Sequence, residues 1–575
     1  MINKIIKNHA YACLLICFLV LLWRSFKGFC WTDESFYIST ADRFIKGDIP
    51  LVDEWFRTQM SSILMVPFYA VYRLIVGSNT GIVLYFRILY LLLSSATAIV
   101  YFRVLRKEYP DAVALVSALF VMCYAHLNIT SFSYYMLSEL FLALALIIIH
   151  DYRNTGKRYT LVIAGVCIAF SVMCMPVFAV GYFIVMAAVI AAMIVSRTGR
   201  VPEKIRNAIK ELKLWDITVY TVIGILIPAV LFAVYVLSHV DMARLFDTLP
   251  YMLIDKEHNE SWGYFIRKPH RCLMDVFGIY TYGSYILIAV SFIFSKYLKK
   301  HPLQEITAVS AVIVFALQAY MAWGHTGYIQ VAFFMFALPV FFVSEKKNHA
   351  LFWLMVIPAT LVAAIFCFSS SDFLYVIAIG CAIGTSAGVC ALYDFAKGNG
   401  RIVSVLVGIA CVFSLFVTFT LRIVNVYRDA PLDKLTEVIP TGVAKGLYTT
   451  EEHLLQYLDV YEVIDEYCRG ERILISKVLP WGYAATDMRC GYPTTWRSTA
   501  YDEEQLDKYY SYNEVAKPDV ILILNEEYGS FDASGDVEDD HNPNLDELGT
   551  YWKDYITTSG MKEIRVKCGR IYTTH

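Results

Sequence analysis

The sequence predicts a polytopic α-helical membrane protein with a C-terminal extracytoplasmic α/β domain. Three observations predict it. The 575 residues are 58% hydrophobic and only 17% charged, against about 25% charge in a soluble domain. Several windows run the roughly 18 apolar residues that suggest a span; 221–237 and 402–421 carry no charge at all. The composition then changes abruptly near residue 425, to a segment rich in Asp, Glu and Tyr. The net charge of −2 gives no basic field for nucleic acid.

The first apolar stretch, about 11–23, follows Lys4 and Lys7. It lacks a small-residue cleavage site and reads as a retained anchor. The short basic loops come next: 103–107, 153–158, 197–213, 296–300, 346–347 and 397–401. The positive-inside rule places them all in the cytoplasm. Between consecutive basic loops lies apolar sequence for two spans. Segment 61–76 is short and carries Pro67 and Arg73. Read as an interfacial amphipathic helix, it keeps every basic loop inside. The result is thirteen spans, with the N-terminus cytoplasmic and the C-terminus outside, in the cytoplasmic membrane.

Residues 1–424 therefore form the transmembrane domain, with an outer loop over 24–80, and 425–575 form the second domain. In the latter, 472–475 and 520–524 are apolar runs suited to buried strands, and 451–468 suits an amphipathic helix. Trp481 and the stretch Thr494 to Arg497 read as core, and 536–540 as a solvated acidic loop. Most of the fourteen cysteines fall in apolar segments and no CxxC pair occurs. Cys468, Cys490 and Cys568 allow one disulfide, with the pair undetermined.

The loop after the first span reads Cys30-Trp31-Thr32-Asp33-Glu34-Ser35-Phe36-Tyr37 and continues to a second acidic pair, Asp53-Glu54. Two acidic sites a helix apart can fold back toward one surface. A carboxylate held at a membrane boundary can serve as a general base for an acceptor hydroxyl or amine. A phosphate leaving group needs cations and donors rather than an acid. Cations are abundant in the stretch 239–271, on the side where the positive-inside rule disfavours them: Lys256, His258, Arg267, Lys268 and Arg271. Arg57 is another phosphate candidate. Tyr134, Tyr135 and His325 lie near outer ends of spans, where they can line the same cavity.

Asp33-Glu34, Tyr37, Gly47-Asp48 and Asp53-Glu54, set after span one of a polytopic chain, resemble the GT-C membrane glycosyltransferases. The resemblance is to their protein O-mannosyltransferase and aminoarabinose-transferase branch, and the order of elements matches along the whole chain. That branch usually runs its second motif through a Pro-Pro or His-Pro-Pro, where this chain has Asp53-Glu54-Trp55-Phe56-Arg57. The resemblance implies a sugar moved from a polyprenyl-phosphate carrier to a glycan, lipid or protein acceptor, by inversion. Asp33 is then the base, Glu34 a second catalytic candidate or a salt-bridge partner, and Asp53 a group that positions the acceptor. Tyr37 and Glu54 fall to substrate binding. No resident cofactor is implied; a divalent cation is an open alternative, since some GT-C enzymes use one. A lipid-linked sugar flippase and a surface-polysaccharide polymerase or ligase are the competing expectations.

Overall fold

The computed structural model describes residues 2–197, 212–253, 262–277, 281–298, 303–322, 326–343, 349–369, 374–476, 478–529, 531, 535–536 and 549–574. It is mostly helical. The first helices are α1 Ile2–Arg24, α2 Asp33–Ile45, α3 Val66–Val76, α4 Ile82–Leu105, α5 Asp111–Cys123, α6 Tyr134–Thr155, α7 Arg158–Cys174 and α8 Phe178–Arg197. Next come α9 Leu214–Leu237, α10 Met242–Leu253, α11 Trp262–Phe277, α12 Thr281–Tyr297, α13 Leu303–Met321 and α14 Thr326–Ala337. The bundle closes with α15 Ile357–Ser369, α16 Ala378–Gly398 and α17 Arg401–Val424.

Among the described residues, seven helices are long and apolar enough to cross a membrane: α4, α6, α8, α9, α15 with the turn before it, α16 and α17. Shorter apolar helices, α5 and α7 among them, accompany these. Small residues set how closely the bundle packs. Gly165 of α7 meets Gly224 of α9: a Cβ on either would lie about 2 Å from a carbonyl oxygen of the other helix, Thr221 or Val162. Helix α16 is the bundle centre, and a Cβ at Gly384 would strike the Phe334 ring at 2.2 Å.

The stretch expected as one interfacial helix over 61–76 is broken. A single turn, Met60–Ile63, precedes α3, which starts at Val66 with Pro67 in its first turn. Proline suits that position because it has no N–H to leave unpaired. Helix α3 is about 16 Å long, too short to cross, with Leu74 and Ile75 exposed and Tyr69 buried.

The α/β domain begins where α17 ends. Its strands are β1 Glu437–Val438, β2 Tyr448–Thr449, β3 Arg472–Ile475, β4 Arg489–Cys490, β5 Val520–Leu524, β6 Lys562–Val566 and β7 Gly569–Thr573. A five-stranded sheet runs β4-β3-β5-β7-β6. Strand β3 is parallel to β4 and β5; β7 runs antiparallel to β5 and β6. Every residue of β3 and β5 is buried, which accounts for the apolar runs 473–475 and 520–524. The expected amphipathic helix is α18 Glu451–Tyr467, capped by the Thr450 side chain on the His453 N–H. Further helices are α19 Pro480–Ala484, α20 Glu503–Tyr512 and α21 Thr550–Thr558. Cys468, Cys490 and Cys568 are buried free thiols; Cys490 lies against the Tyr492 and Thr494 carbonyls. Trp481, Thr494 and Thr495 are core. Of the acidic stretch 536–540, only Asp536 is among the described residues.

This domain sits directly on the loop between α1 and α4. The Ser39 hydroxyl donates to the Pro480 carbonyl at 2.6 Å, and the Trp55 N–H to the Pro493 carbonyl at 2.8 Å. Phe26 and Gly28 exchange backbone bonds with Tyr448. Trp31 packs edge-on against Trp481 and Phe531. Helix α2, read from sequence as part of the outer loop over 24–80, is consequently buried along almost its whole length.

Candidate functional site

Asp33 is the first residue of α2, where the helix dipole favours a negative charge. Its Oδ2 accepts from the Tyr427 hydroxyl at 2.8 Å and lies 3.5 Å from Nε of Arg428. The side chain is 21% exposed. Both partners belong to the short connection between α17 and the α/β domain. Arg428 holds φ of +51°, a left-handed conformation that costs a residue with a side chain about 1 kcal/mol or more. Burial pushes the Tyr427 hydroxyl well above its ordinary value, and the Asp33 charge adds to that.

Glu34 is placed differently. It is buried and bound twice by Arg87, Nε to Oε1 and Nη2 to Oε2, each at 2.6 Å. Arg87 also donates to the carbonyls of Ser25 and Lys27. The carboxylate is therefore a fixed internal strut between α2 and α4, with both oxygens committed.

The second acidic pair does not fold back beside the first. Glu54 is fully buried against Arg43 at 3.1 Å, near the far end of α2, and its Oε1 accepts from the Phe56 N–H. Arg43 also holds Asp48 at 2.6 Å, and Arg472 of β3 approaches Asp48 at 3.7 Å. Ten residues of helix, about 15 Å, separate Asp33 from Arg43. Asp53 accepts from the Ile49 N–H at 2.7 Å, while its carbonyl receives the Tyr509 hydroxyl of α20. Burial raises the pKa of the Glu54 carboxyl to about 6, against the pull of Arg43. Burial and the nearby Asp48 also raise that of Asp53. These acids tie the loop to the α/β domain.

The aromatic candidates do gather near Asp33. The Tyr37 ring lies 5.4 Å from Tyr134, which stacks on Tyr135 at 3.8 Å; Tyr135 meets His126 at 4.4 Å. Burial pushes the Tyr37 hydroxyl well up, with further contributions from Tyr134, Asp33 and Tyr427. The turn before α6 carries two more left-handed residues, Leu127 and Asn128. Strained backbone of this kind gathers at binding sites.

The basic stretch is set apart. Arg57 is exposed on the loop after Glu54. Lys268 is buried on α11, Arg267 and Arg271 are exposed, and Lys268 and Arg271 flank Tyr264 at 5.9 and 5.7 Å. Helix α15 stands between them and the tyrosines: Phe366 meets Tyr135, while Cys367 meets Cys272 of α11. Lys256, His258 and His325 lie outside the described residues. No group of three His, Cys, Asp or Glu with metal-holding geometry occurs among the described residues.

Five residues around Asp33 were not candidates from sequence: Arg24, Asn128, Arg422, Tyr427 and Arg428. Arg24 closes α1 and Arg422 sits in the last turn of α17. Both are arginines at the span ends opposite the basic loops. The charge rule that singled out 239–271 also singles out these two, when applied to span ends as well as loops. No protein-family model matches this chain, and none of the curated proteins is significantly similar to it.

Proposed function

We propose that the protein is an integral-membrane glycosyltransferase of the GT-C type. In this reading it has thirteen spans, a cytoplasmic N-terminus and an α/β domain outside the cytoplasmic membrane. It moves a sugar from a polyprenyl-phosphate carrier to an acceptor at the outer face. The observation that carries the reading is the state of Asp33. It keeps a partly exposed carboxylate one helical turn from Tyr37, whose ring meets Tyr134, whereas Glu34 and Glu54 are closed into buried ion pairs.

In the transfer step the acceptor O–H or N–H proton passes to an Asp33 oxygen. The acceptor's lone pair forms the new bond to the anomeric carbon. The bond from that carbon to the phosphate oxygen breaks with its electron pair, leaving the carrier phosphate as the anion. Direct displacement inverts the anomeric centre. Tyr37 and Tyr134 offer aromatic faces to the sugar, and Glu34 fixes the start of α2 through Arg87. Arg57 and the cations of 239–271 remain candidates for the diffuse charge of the donor. The α/β domain, seated over α2, restricts which acceptors reach Asp33.

A second reading, transport of a lipid-linked sugar, is favoured by one observation: Glu139 of α6 is a buried carboxyl whose Oε2 has no hydrogen-bond partner among the described residues. Such a group inside a span is a functional candidate.

The test is transfer of radiolabelled sugar from a panel of polyprenyl-phosphate sugars to membrane acceptors, with wild type and Asp33→Asn compared in equal folded amounts. Label transferred by wild type and lost in the variant supports the reading. Equal transfer by both removes Asp33 as base. Carrier-dependent sugar movement across a vesicle without transfer favours transport.

A further inference from the structure

Helix α6 carries a carboxyl inside the bundle, in its second turn. Glu139 is buried, and its Oε2 has no hydrogen-bond partner among the described residues. Burial is the one influence acting on the group, so no neighbouring charge holds it as an anion. An isolated carboxylate in such surroundings costs several kcal/mol, and the group rests as the neutral acid. An ionisable side chain inside a span is costly to keep, and proton traffic is one of the few uses that explain it.

The neighbours of Glu139 are hydroxyls. It lies close enough to Tyr90 and Tyr101 of α4, and to Tyr124 after α5, for its charge to act on each. On α4, Tyr90, Ser94, Thr97 and Tyr101 fall at i, i+4, i+7 and i+11, which is one face of a helix. All four are 1% exposed or less. The apolar stripe usual on a packed helix face is here a stripe of hydroxyls. Ser94 and Thr97 donate to the Leu91 and Leu93 carbonyls of their own helix, at 3.1 and 2.9 Å, and their oxygens still accept. Tyr90 donates to the Tyr124 carbonyl at 3.1 Å, and Tyr101 to the Ala143 carbonyl of α6 at 3.0 Å.

Helix α6 extends this line toward the basic loops. His150 is at i+11 from Glu139, on the same face and about 16 Å along the axis. Tyr101 meets α6 between the two, at Ala143. His150 is fully buried, and its Nδ1 has no hydrogen-bond partner among the described residues. Its Nε2 stands 3.3 Å from Oε1 of Glu108, on the loop after α4, whose side chain is 26% exposed. The His150 ring, helped by Asn154 and Arg153, holds the Glu108 carboxyl well below its ordinary value, at about 2, although burial opposes this. Glu108 is therefore an anion that draws a proton from outside water onto His150. It lies at the end of the bundle that the basic loops place in the cytoplasm.

We propose that Glu139 is a proton-binding site, filled from the cytoplasmic end by way of Glu108, His150 and Tyr101. A helical side chain lies over the turn before its own Cα, which directs His150 toward the Ala143 turn, and one bridging water completes the link to Tyr101. The proton on His150 passes through that water to the Tyr101 oxygen. The proton that Tyr101 already held moves on to Glu139, and a carboxylate becomes a carboxylic acid. Emptying the site reverses these steps. Proton binding goes beyond glycosyl transfer and uses none of its groups. For the transport reading it supplies a coupling ion, so its test reads the proton and not the sugar.

The full-length protein, in phosphatidylcholine nanodiscs, is titrated with acid and base and followed by infrared spectroscopy in water and in heavy water. Wild type is expected to show a carboxylic-acid C=O band that shifts in heavy water and is missing from Glu139→Gln, a neutral variant of nearly the same shape. Identical spectra of the two proteins in this region overturn the site. The route is read by stepping the protein into heavy water and timing the shift of that band. Tyr101→Phe and His150→Gln are each expected to keep the band and to slow its shift about 10²-fold, the usual contribution of a positioned proton donor. Unchanged rates in both variants overturn the cytoplasmic route. If His150→Gln does not fold, Tyr101→Phe, which keeps the ring, decides alone. Absence of sugar movement by wild type removes the transport reading and leaves the proton site standing.

Discussion

The Tyr427 hydroxyl donates to the Asp33 carboxylate at 2.8 Å across 394 residues of chain. The bond joins the start of α2 to the segment that leaves the last helix of the bundle. Tyr427 also lines the narrow cleft that Arg24, Lys27, Glu34 and Arg87 share, so one side chain borders both the proposed base and that cluster of charges. Tyr427→Phe keeps the ring and removes the donor. It is expected to lower transfer by roughly tenfold, with the purified variant melting within a few degrees of wild type.

Asp33→Asn is expected to reduce transfer by about 10²–10⁴-fold, the usual contribution of a positioned base. Asparagine is nearly isosteric and still accepts from Tyr427, so thermal stability in detergent should hold. A parallel loss of stability and activity would assign Asp33 to the fold instead.

Glu34→Ala should act in the opposite manner. Removing one partner of a buried pair strands the other charge and costs about 3–5 kcal/mol. Arg87 would be stranded between α2 and α4. The expected outcome is a large drop in melting temperature and yield. A well-folded Glu34→Ala protein that lacks activity would give Glu34 a catalytic role.

Gly165→Ala and Gly224→Ala test the bundle. Each new methyl would meet main-chain atoms of the facing helix, which cannot rotate away. A cost of about 1–3 kcal/mol or more is expected for each, measured as detergent thermostability. Gly156→Ala, where no atom lies within 4 Å of the new methyl, removes the left-handed C-cap of α6 without a clash, so its smaller loss separates backbone strain from packing.

His453 makes the domain junction sensitive to pH. Burial lowers its proton affinity, but the 2.7 Å bond to Asp429 outweighs this and the net shift is upward. The Gly535 carbonyl and the Glu452 charge act in the same direction. A histidine with a raised folded value adds stability that is fully present below about pH 6.5, its ordinary value. That stability fades as pH rises through the higher folded value. Melting temperature should therefore fall from pH 6 to pH 9 more steeply in wild type than in His453→Gln. Identical slopes would remove the histidine from the junction's energetics.

Much of the architecture was legible because it is local. The apolar runs 472–475 and 520–524 became the adjacent buried strands β3 and β5, since strands covered on both faces need no polar alternation. The abrupt change in composition marked the end of α17. Trp481 read correctly as core. The helix over 61–76 was overextended, because an apolar stretch reads as continuous until Pro67 fixes where a helix can begin.

The site was legible in part. Asp33 and Tyr37 were singled out in the loop after the first span and Tyr134 near the outer end of another, and Tyr37 lies between the influence of Asp33 and the ring of Tyr134. Asp53 and Glu54 were expected near Asp33, and α2 holds them at its opposite end. Arg24 and Arg422 were missed, and helix α15 stands between the cations of α11 and the tyrosines. By itself the sequence determined which segments are apolar, where the chain changes character, and which carboxylates sit next to a span. Only the tertiary structure decided which of those carboxylates stay partly exposed and which are closed into buried ion pairs. That choice rests on contacts such as Glu34 with Arg87, Asp33 with Tyr427 and Arg24 with Asn425. Their partners lie tens to hundreds of residues apart, and no local period records which distant charge will be buried beside them.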